Sequence, residues 1–464
     1  MWLTIRPTPG IVNSASIALF ATGTVFFTAT QASGQTLPAG IIAQNVYTGA
    51  SLPTAMAFTG PGDFFVLEKA SGIVRRVRIG GPAPVATTVL TLDVSDQGEQ
   101  GMLGIAVAPD FASSGTVFLY YTNDLPRENR IARFTWNDVA LVNEVILATL
   151  PGTFINHNGG PLAIGPDGML YAVIGDQGVF HRTENNVNTT NVSETGIVLR
   201  MNPADGSPAP GNPFAALPGW ERVFAYGIRN CFGMNFDPVT GVLWEAENGP
   251  GDYDEVNRVV AGMNGGWTRI HGPDIRDSQN VTDLVMNAGA TYVDPAFSWN
   301  ETNAATGITF LHSPRWHPSV RDDCVVASYK FGGTISRFDL NVDRTGFVLT
   351  GDLADLVADS ATERDAAVWV SNLGALSDLR IGPDGYLYAV AIHNNRIWRI
   401  RPQYPMGDVN RDGSADGRDI SLFVKVLLGT SIDPLQIAQS DMDGNGSVND
   451  ADMPAFIESV LLPN

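Results

Sequence analysis

The stretch Gly165-Pro166-Asp167-Gly168-Met169-Leu170-Tyr171 joins a tight turn to the start of an apolar strand. Proline fixes its own φ, aspartate hydrogen-bonds locally, and glycine accepts the left-handed conformation that closes the turn. The unit returns as Gly382-Pro383-Asp384-Gly385 before Tyr386-Leu387-Tyr388, and as Gly60-Pro61-Gly62-Asp63 before Phe64-Phe65-Val66-Leu67. Looser copies are Ala108-Pro109-Asp110 before Thr116-Val117-Phe118-Leu119, Asp237-Pro238 before Val242-Leu243-Trp244, and Ser313-Pro314 ahead of Cys324-Val325-Val326. Six copies at roughly 50–75-residue spacing predict an all-β fold, a six-bladed β-propeller in which each copy is a hairpin of one four-stranded blade. A sandwich or β-helix would be as rich in turns but would repeat at shorter, more even intervals. The polar, irregular stretches 184–194 and 271–287 fall in the longer spacings, where propeller insertions build a site on one face.

Composition agrees with short strands joined by turns: the 464 residues include 49 glycines and 29 prolines. A formal charge of -20 argues against nucleic acid or an anionic membrane as partner and suits divalent cations and neutral ligands. Arg6, the apolar or small run from Ile11 to Thr30, and Ala32-Ser33-Gly34 read as a signal peptide over 1–34. The mature chain is therefore expected to be exported: periplasmic, extracellular or associated with a cell surface. No later apolar run is long enough to span a bilayer. Cys231 and Cys324 are the only cysteines; export would permit a disulfide, but a fold of this size does not need one.

The propeller is expected over 35–402 and a linker over 403–405. A different pattern follows over 406–464. Asp408, Asn410, Asp412, Gly413, Ser414, Asp416 and Asp419 occupy positions 1, 3, 5, 6, 7, 9 and 12 of a calcium loop. Asp441, Asp443, Asn445, Gly446, Ser447, Asn449 and Asp452 repeat them. Calcium needs six or more hard oxygens, and glycine at position six permits the sharp turn. Each loop runs into an amphipathic helix, with Ile420, Phe423, Val424, Leu427 and Leu428 in the first and Met453, Phe456, Ile457, Val460 and Leu461 in the second. Two loop-plus-helix units without an entering helix resemble a type I dockerin. That resemblance implies two structural calcium ions and a cohesin-like or surface protein as partner.

Longer stretches of the body resemble the soluble pyrroloquinoline quinone (PQQ)-dependent sugar dehydrogenases, the glucose/sorbosone dehydrogenase propellers. They are Gly98 to Ala106 with Pro109-Asp110-Phe111, His157-Asn158-Gly159-Gly160 through Gly175-Asp176-Gln177-Gly178, and Tyr226 to Gly233. Glu247-Asn248-Gly249-Pro250, Asp254-Glu255-Val256-Asn257, Gly262 to Trp267 and Ser328 to Gly332 continue the series in order. The resemblance implies that His157 is the base taking a sugar hydroxyl proton, that Asp176 orients it, and that Arg229 and Asn230 contact the quinone oxygens. It places Lys330, Thr302 and Glu99 beside the cofactor, and a catalytic calcium on the carbonyls of Gly249 and Pro250. Asp254 and Glu255 are candidates for a further structural calcium. An imidazole base near neutral pH suits that step, and the glycines after His157 let backbone approach a flat cofactor.

The chain departs from the family at three positions. The arginines of the family's Arg-x-Arg-Asp in the last blade are replaced by Ala375 and Ser377, and that of His-x-Gly-Gly-Arg by Pro161. Strand alternation gives no reason for Arg380 or Arg396 to substitute. Losing two charge-assisted anchors of about 1.5–3 kcal/mol each would weaken a tricarboxylate strongly. The leading expectation is therefore an exported, PQQ- and calcium-dependent aldose dehydrogenase passing electrons to an external acceptor. The alternative is a propeller that has lost the cofactor and binds carbohydrate or protein without catalysis. A propeller hydrolase would need a metal cage of acidic or histidine residues, and none is spaced for one.

Overall fold

The turn at Asp167 joins strands Leu162–Ile164 and Leu170–Ile174, and the turn at Asp384 joins Leu376–Ile381 and Leu387–Ala391. Both aspartates accept the backbone N–H two residues on, from Met169 at 3.0 Å and Tyr386 at 3.2 Å. Each also accepts a tyrosine hydroxyl, from Tyr171 at 2.9 Å and Tyr388 at 2.8 Å. Each then binds an arginine on the third strand of its sheet, Arg200 at 2.9 Å and Arg399 at 2.7 Å. Asp63–Arg76 and Asp323–Arg337 repeat the carboxylate–guanidinium link in two further sheets. The recurring aspartate thus pins the first hairpin of a sheet to its third strand, which is why the turn unit is visible in the sequence.

Residues 34–463 are described in this computed structural model; the segment expected to be a signal peptide lies, up to residue 33, outside them. The strands form an all-β propeller of six sheets, followed by a small helical region. Four sheets have the expected four strands, and two exceed it with six and five. The additions are short pairings, Met263–Asn264 with Thr291–Tyr292 on one sheet, on either side of the irregular stretch 271–287, and Val357–Ala358 on the next. The last sheet takes its fourth strand from the other end of the body, Ile41–Thr48 pairing antiparallel with Arg396–Pro402. Innermost strands of successive sheets touch around a closed ring, Leu376–Ile381 meeting Pro53–Gly60 to complete it.

The ring is tight because glycine lets backbones meet. A Cβ at Gly104 would overlap the Gly160 carbonyl oxygen, and one at Gly233 would overlap that of Thr306. Between the sheets, apolar faces interleave: Trp244, Phe297, Trp299, Phe310 and Phe338 fill one such seam. Each large buried side chain contributes about 1.5–3 kcal/mol. Cys231 and Cys324 are buried free thiols. Among the described residues, no helix is long and apolar enough to cross a membrane.

The C-terminal region holds helices Ile420–Leu427, Pro434–Ser440 and Met453–Leu461. The middle one was not expected; Asp433 caps it through Leu435 N, and Pro434 stands at its first turn, where a missing N–H costs nothing. Phe423 and Phe456 stack at 3.8 Å in a core with Met406, Val409 and Met442. The two expected apolar stripes are therefore split. Phe423 and Phe456 face inward, whereas Ile420, Val424 and Leu428, and at matching positions Met453, Ile457 and Leu461, are exposed.

Arg315 joins this region to the propeller. It is fully buried and donates to the carbonyls of Ala415 at 3.2 Å, Ser459 at 3.2 Å, Leu462 at 2.9 Å and Pro463 at 3.1 Å. On the propeller side it reaches the Asp384 carbonyl at 3.3 Å and stacks over Tyr386, while its own carbonyl accepts from Met406 N at 3.1 Å. Arg315→Met should leave these carbonyls unsatisfied at about 1–3 kcal/mol each and release the helical region. Small-angle scattering should show an extended particle; an unchanged envelope would mean that other contacts hold the two together.

Candidate functional site

The N-terminal ends of the innermost strands surround a cavity of about 470 Å³. Its wall is mostly apolar or glycine, but Lys69, Glu99, Asn248, Tyr329, Asp378, Arg380 and His393 bring polar groups to it.

His157 stands beside this cavity, on the loop leading to Leu162–Ile164. Its φ of 57° is left-handed, a conformation histidine adopts only where the surroundings impose it. Its backbone N–H donates to Glu99 and its carbonyl accepts from Gln177 Nε2 at 2.7 Å. The Nδ1 lies 2.6 Å from Asp176 Oδ1, and Asp176 Oδ2 accepts Trp267 Nε1 at 2.8 Å. A buried carboxylate so placed holds Nδ1 as N–H and leaves the Nε2 lone pair free as a base. Glu99 also accepts from Asn230 Nδ2 at 3.0 Å, and Asn230 Oδ1 accepts from Gly159 N at 3.3 Å. His157, Asp176, Glu99 and Asn230 are thus one hydrogen-bonded group.

Arg229 extends it. The guanidinium donates to the Asn248 carbonyl at 2.7 Å and lies over Trp267, 5.4 Å from the ring centre, while its Nε is buried without a partner. Asn248 Nδ2 donates to the Ala305 carbonyl at 2.6 Å. The carbonyls of Gly249 and Pro250 accept no hydrogen bond among the described residues. Lys330 donates to Thr302, at 2.6 Å to its hydroxyl and 2.9 Å to its carbonyl. Neither of that pair lines the cavity, although their neighbours Tyr329 and Ala304 do.

Ser377 and Pro161 do line the cavity, so two of the positions that differ from the family pattern face it. Arg380 lines it as well, contrary to the alternation expected for its strand. The reason is a register shift between Leu376 and Asp378, which breaks the two-residue period. Asp254 and Glu255 do not act together: Asp254 accepts the backbone N–H groups of Gly249 and Ala304, fixing the loop beside Pro250. Glu255 instead shares a sheet face with Glu245, Glu247 and Asn257. Both oxygens of Glu245 lack a hydrogen-bond partner, and burial pushes its carboxyl up to about 8.

The loops at 408–419 and 441–452 have the same internal bonding. Position 1 accepts the N–H groups of positions 5 and 6, as Asp408 does from Asp412 and Gly413 and Asp441 from Asn445 and Gly446. Position 12 accepts those of positions 3 and 9, as Asp419 does from Asn410 and Asp416 and Asp452 from Asp443 and Asn449. At position 7, Ser414 N and Ser447 N donate to position 5. The carboxylates of Asp441, Asp443 and Asp452 lie within 4.8 Å of one another and could hold a cation. In the first loop Arg418 pairs with Asp412 at 2.9 Å and Asp416 at 2.6 Å.

Trp267, Lys69, Tyr329 and His393 carry no role in the sequence reading, and Arg380 is set aside there on strand alternation. Trp267 closed one of the motif stretches and was within reach; a lysine one residue beyond a strand carries no local signal.

Residues 50–399 match the Glucose / Sorbosone dehydrogenase family, and residues 406–461 match the Dockerin type I domain. An uncharacterised protein of Synechocystis is 30% identical over 376 residues, covering 75% of this chain and 84% of the relative. The aldose sugar dehydrogenase YliI of Escherichia coli is 26% identical over 368 residues, covering 76% of this chain and 90% of its own. The PQQ-bound form of an aldose sugar dehydrogenase from Streptomyces coelicolor superposes with a TM-score of 0.60 at 27% identity, covering 79% of this chain and 99% of that one.

Glu184 supports the Trp267 side of the site: its carbonyl accepts Thr268 N at 3.0 Å, and the neighbouring Asn185 donates to the Trp267 carbonyl at 2.9 Å. The Glu184 side chain is fully buried, and burial pushes its carboxyl up to about 7. A raised value in the fold favours the protonated form, so this contribution is present below about 4.5 and is lost as pH rises through about 7. Melting temperature should therefore fall from about pH 5 to pH 8, and Glu184→Gln should flatten that fall. Parallel curves for the two proteins would contradict this assignment.

Proposed function

The chain belongs to the glucose/sorbosone dehydrogenase family and carries a type I dockerin domain over residues 406–461, and from that premise we propose that it oxidises an aldose-type sugar at C1 with PQQ and calcium. The single observation that carries this reading is the His157–Asp176–Trp267 chain beside an open cavity of about 470 Å³. The residues present fit the cofactor. The buried, unpartnered Arg229 Nε and the Asn230 amide would supply donors to a quinone oxygen, and the free carbonyls of Gly249 and Pro250 suit a hard cation. Glu99, Thr302 and Lys330 would flank it.

In this reading His157 Nε2 takes the proton of the sugar's anomeric hydroxyl. Asp176 holds the ring in the required tautomer and stabilises the imidazolium that forms, and Trp267 fixes Asp176 in turn. PQQ, when bound with calcium on the Gly249 and Pro250 carbonyls, would supply the acceptor for the C1 hydride and the route by which the electron pair reaches an external acceptor. We take each of the six sheets as one blade of the propeller, the closed ring of inner-strand contacts being the support.

The dockerin domain would bind two calcium ions, one in each loop, and dock to a cohesin-like or surface protein. The support is the matched pair of exposed stripes, Ile420, Val424 and Leu428 on one helix and Met453, Ile457 and Leu461 on the other. Export rests on Arg6, the apolar run and Ala32-Ser33-Gly34. One observation favours the second reading, a binding propeller without catalysis: Ser377 and Pro161 face the cavity where the family carries arginine.

Full-length protein loaded with PQQ and calcium, given an aldose and an artificial electron acceptor, should reduce the dye. His157→Gln should lower kcat by roughly 10²–10⁴-fold, the usual worth of a positioned base. Dye reduction at background, with no spectral shift of bound quinone, would leave the binding propeller. Chelation should also abolish the helical far-UV signal of the C-terminal domain; a signal unchanged by chelator would remove calcium from the account of that domain.

A further inference from the structure

This inference rests on the reading that the cavity binds PQQ. We propose that Arg380 and Lys69 anchor the carboxylates of that anion, in place of the arginines that family members carry where this chain has Ala375 and Ser377. Both side chains line the cavity. They come from neighbouring sheets, Arg380 from Leu376–Ile381 and Lys69 from the end of Asp63–Glu68. The seam between those sheets is tied by Met56 N donating to Asp378 Oδ2 at 3.0 Å.

Both cations keep donors for a ligand. Arg380 uses only Nε, toward Asp378 at 3.1 Å; its two terminal nitrogens make no hydrogen bond among the described residues. Lys69 makes one bond, to the Asp96 carbonyl at 3.3 Å. Of the carboxylates that share the wall, Glu99 is bonded away from both cations and Asp378 engages Arg380 through Nε alone. Glu99 accepts from His157 and Asn230, and Asp378 accepts from Met56, Leu379 and Arg380. Partial burial depresses the Lys69 ammonium, a cost that the nearby Asp96 and Glu99 carboxylates offset only in part. Ser377 spends its hydroxyl on the Pro53 carbonyl at 3.0 Å and, being small, leaves more room at the wall than an arginine would. The register shift at Leu376–Asp378 turns Arg380 toward that room.

The test is equilibrium dialysis of PQQ against the calcium-loaded full chain, with Arg380→Gln, Lys69→Gln and the double variant. Loss of one charge-assisted anchor should weaken binding by roughly ten- to a hundredfold, the double variant more, and Arg380→Lys should keep most of the affinity. If Arg380→Gln misfolds because Asp378 loses its partner, Asp378→Asn with Arg380→Gln, and Lys69→Gln alone, carry the same comparison. Wild-type binding with every variant within about twofold would overturn the anchors and leave the proposed function standing. No binding by the wild type would overturn both.

Discussion

Neighbouring inner strands meet through bare backbone at Gly104 and Gly233, and the position and width of the central cavity follow from that contact. Any side chain there would push two sheets apart and open the ring that Pro53–Gly60 and Leu376–Ile381 complete. In four of the six sheets the aspartate pins tie the first hairpin to the third strand and keep those strands in one rigid plane, so the inner ends are presented at fixed spacing. Rigidity of this kind is what a site needs when its groups come from several different sheets.

The groups around His157 show how that frame is used. Glu99 comes from the second sheet, His157 and Asp176 from loops of the third, Asn230 and Asn248 from the fourth. Each is held by at least one bond to a residue of another sheet or loop: Glu99 to His157, Asp176 to Trp267, Asn248 to Ala305. The left-handed backbone at His157 persists because the Glu99 and Gln177 bonds fix both its N–H and its carbonyl. A ring held at both backbone groups and at Nδ1 has little freedom left, and only Nε2 remains to do chemistry.

Much of this was legible in the sequence, for identifiable reasons. The turn units stood out because Asp167 and Asp384 perform the same three-way bonding, which restricts residue types at fixed offsets. The two dockerin loops stood out because each side chain has one assigned place. The added pairings at 263–264, 291–292 and 357–358 were hidden, since two residues carry no periodicity. Arg380 was misjudged because alternation assumes an unbroken register, and the strand is shifted between Leu376 and Asp378. The apolar stripes of the last helices were visible, but not that half of each faces outward. Arg315 gave no sign at all: a buried arginine serving backbone carbonyls from both regions depends on contacts far apart in the chain.

The dockerin domain is thus seated on the propeller through Arg315, and a docking partner would hold the propeller in a set orientation. The central claim remains chemical: a sugar C1 hydride leaves while His157 takes the hydroxyl proton. It is tested most directly by single-turnover mixing of the PQQ- and calcium-loaded chain with an aldose deuterated at C1, following the quinone spectrum. The account predicts that the bound quinone is reduced and that deuterium slows the step by a primary isotope effect. A quinone spectrum that no aldose alters would contradict it.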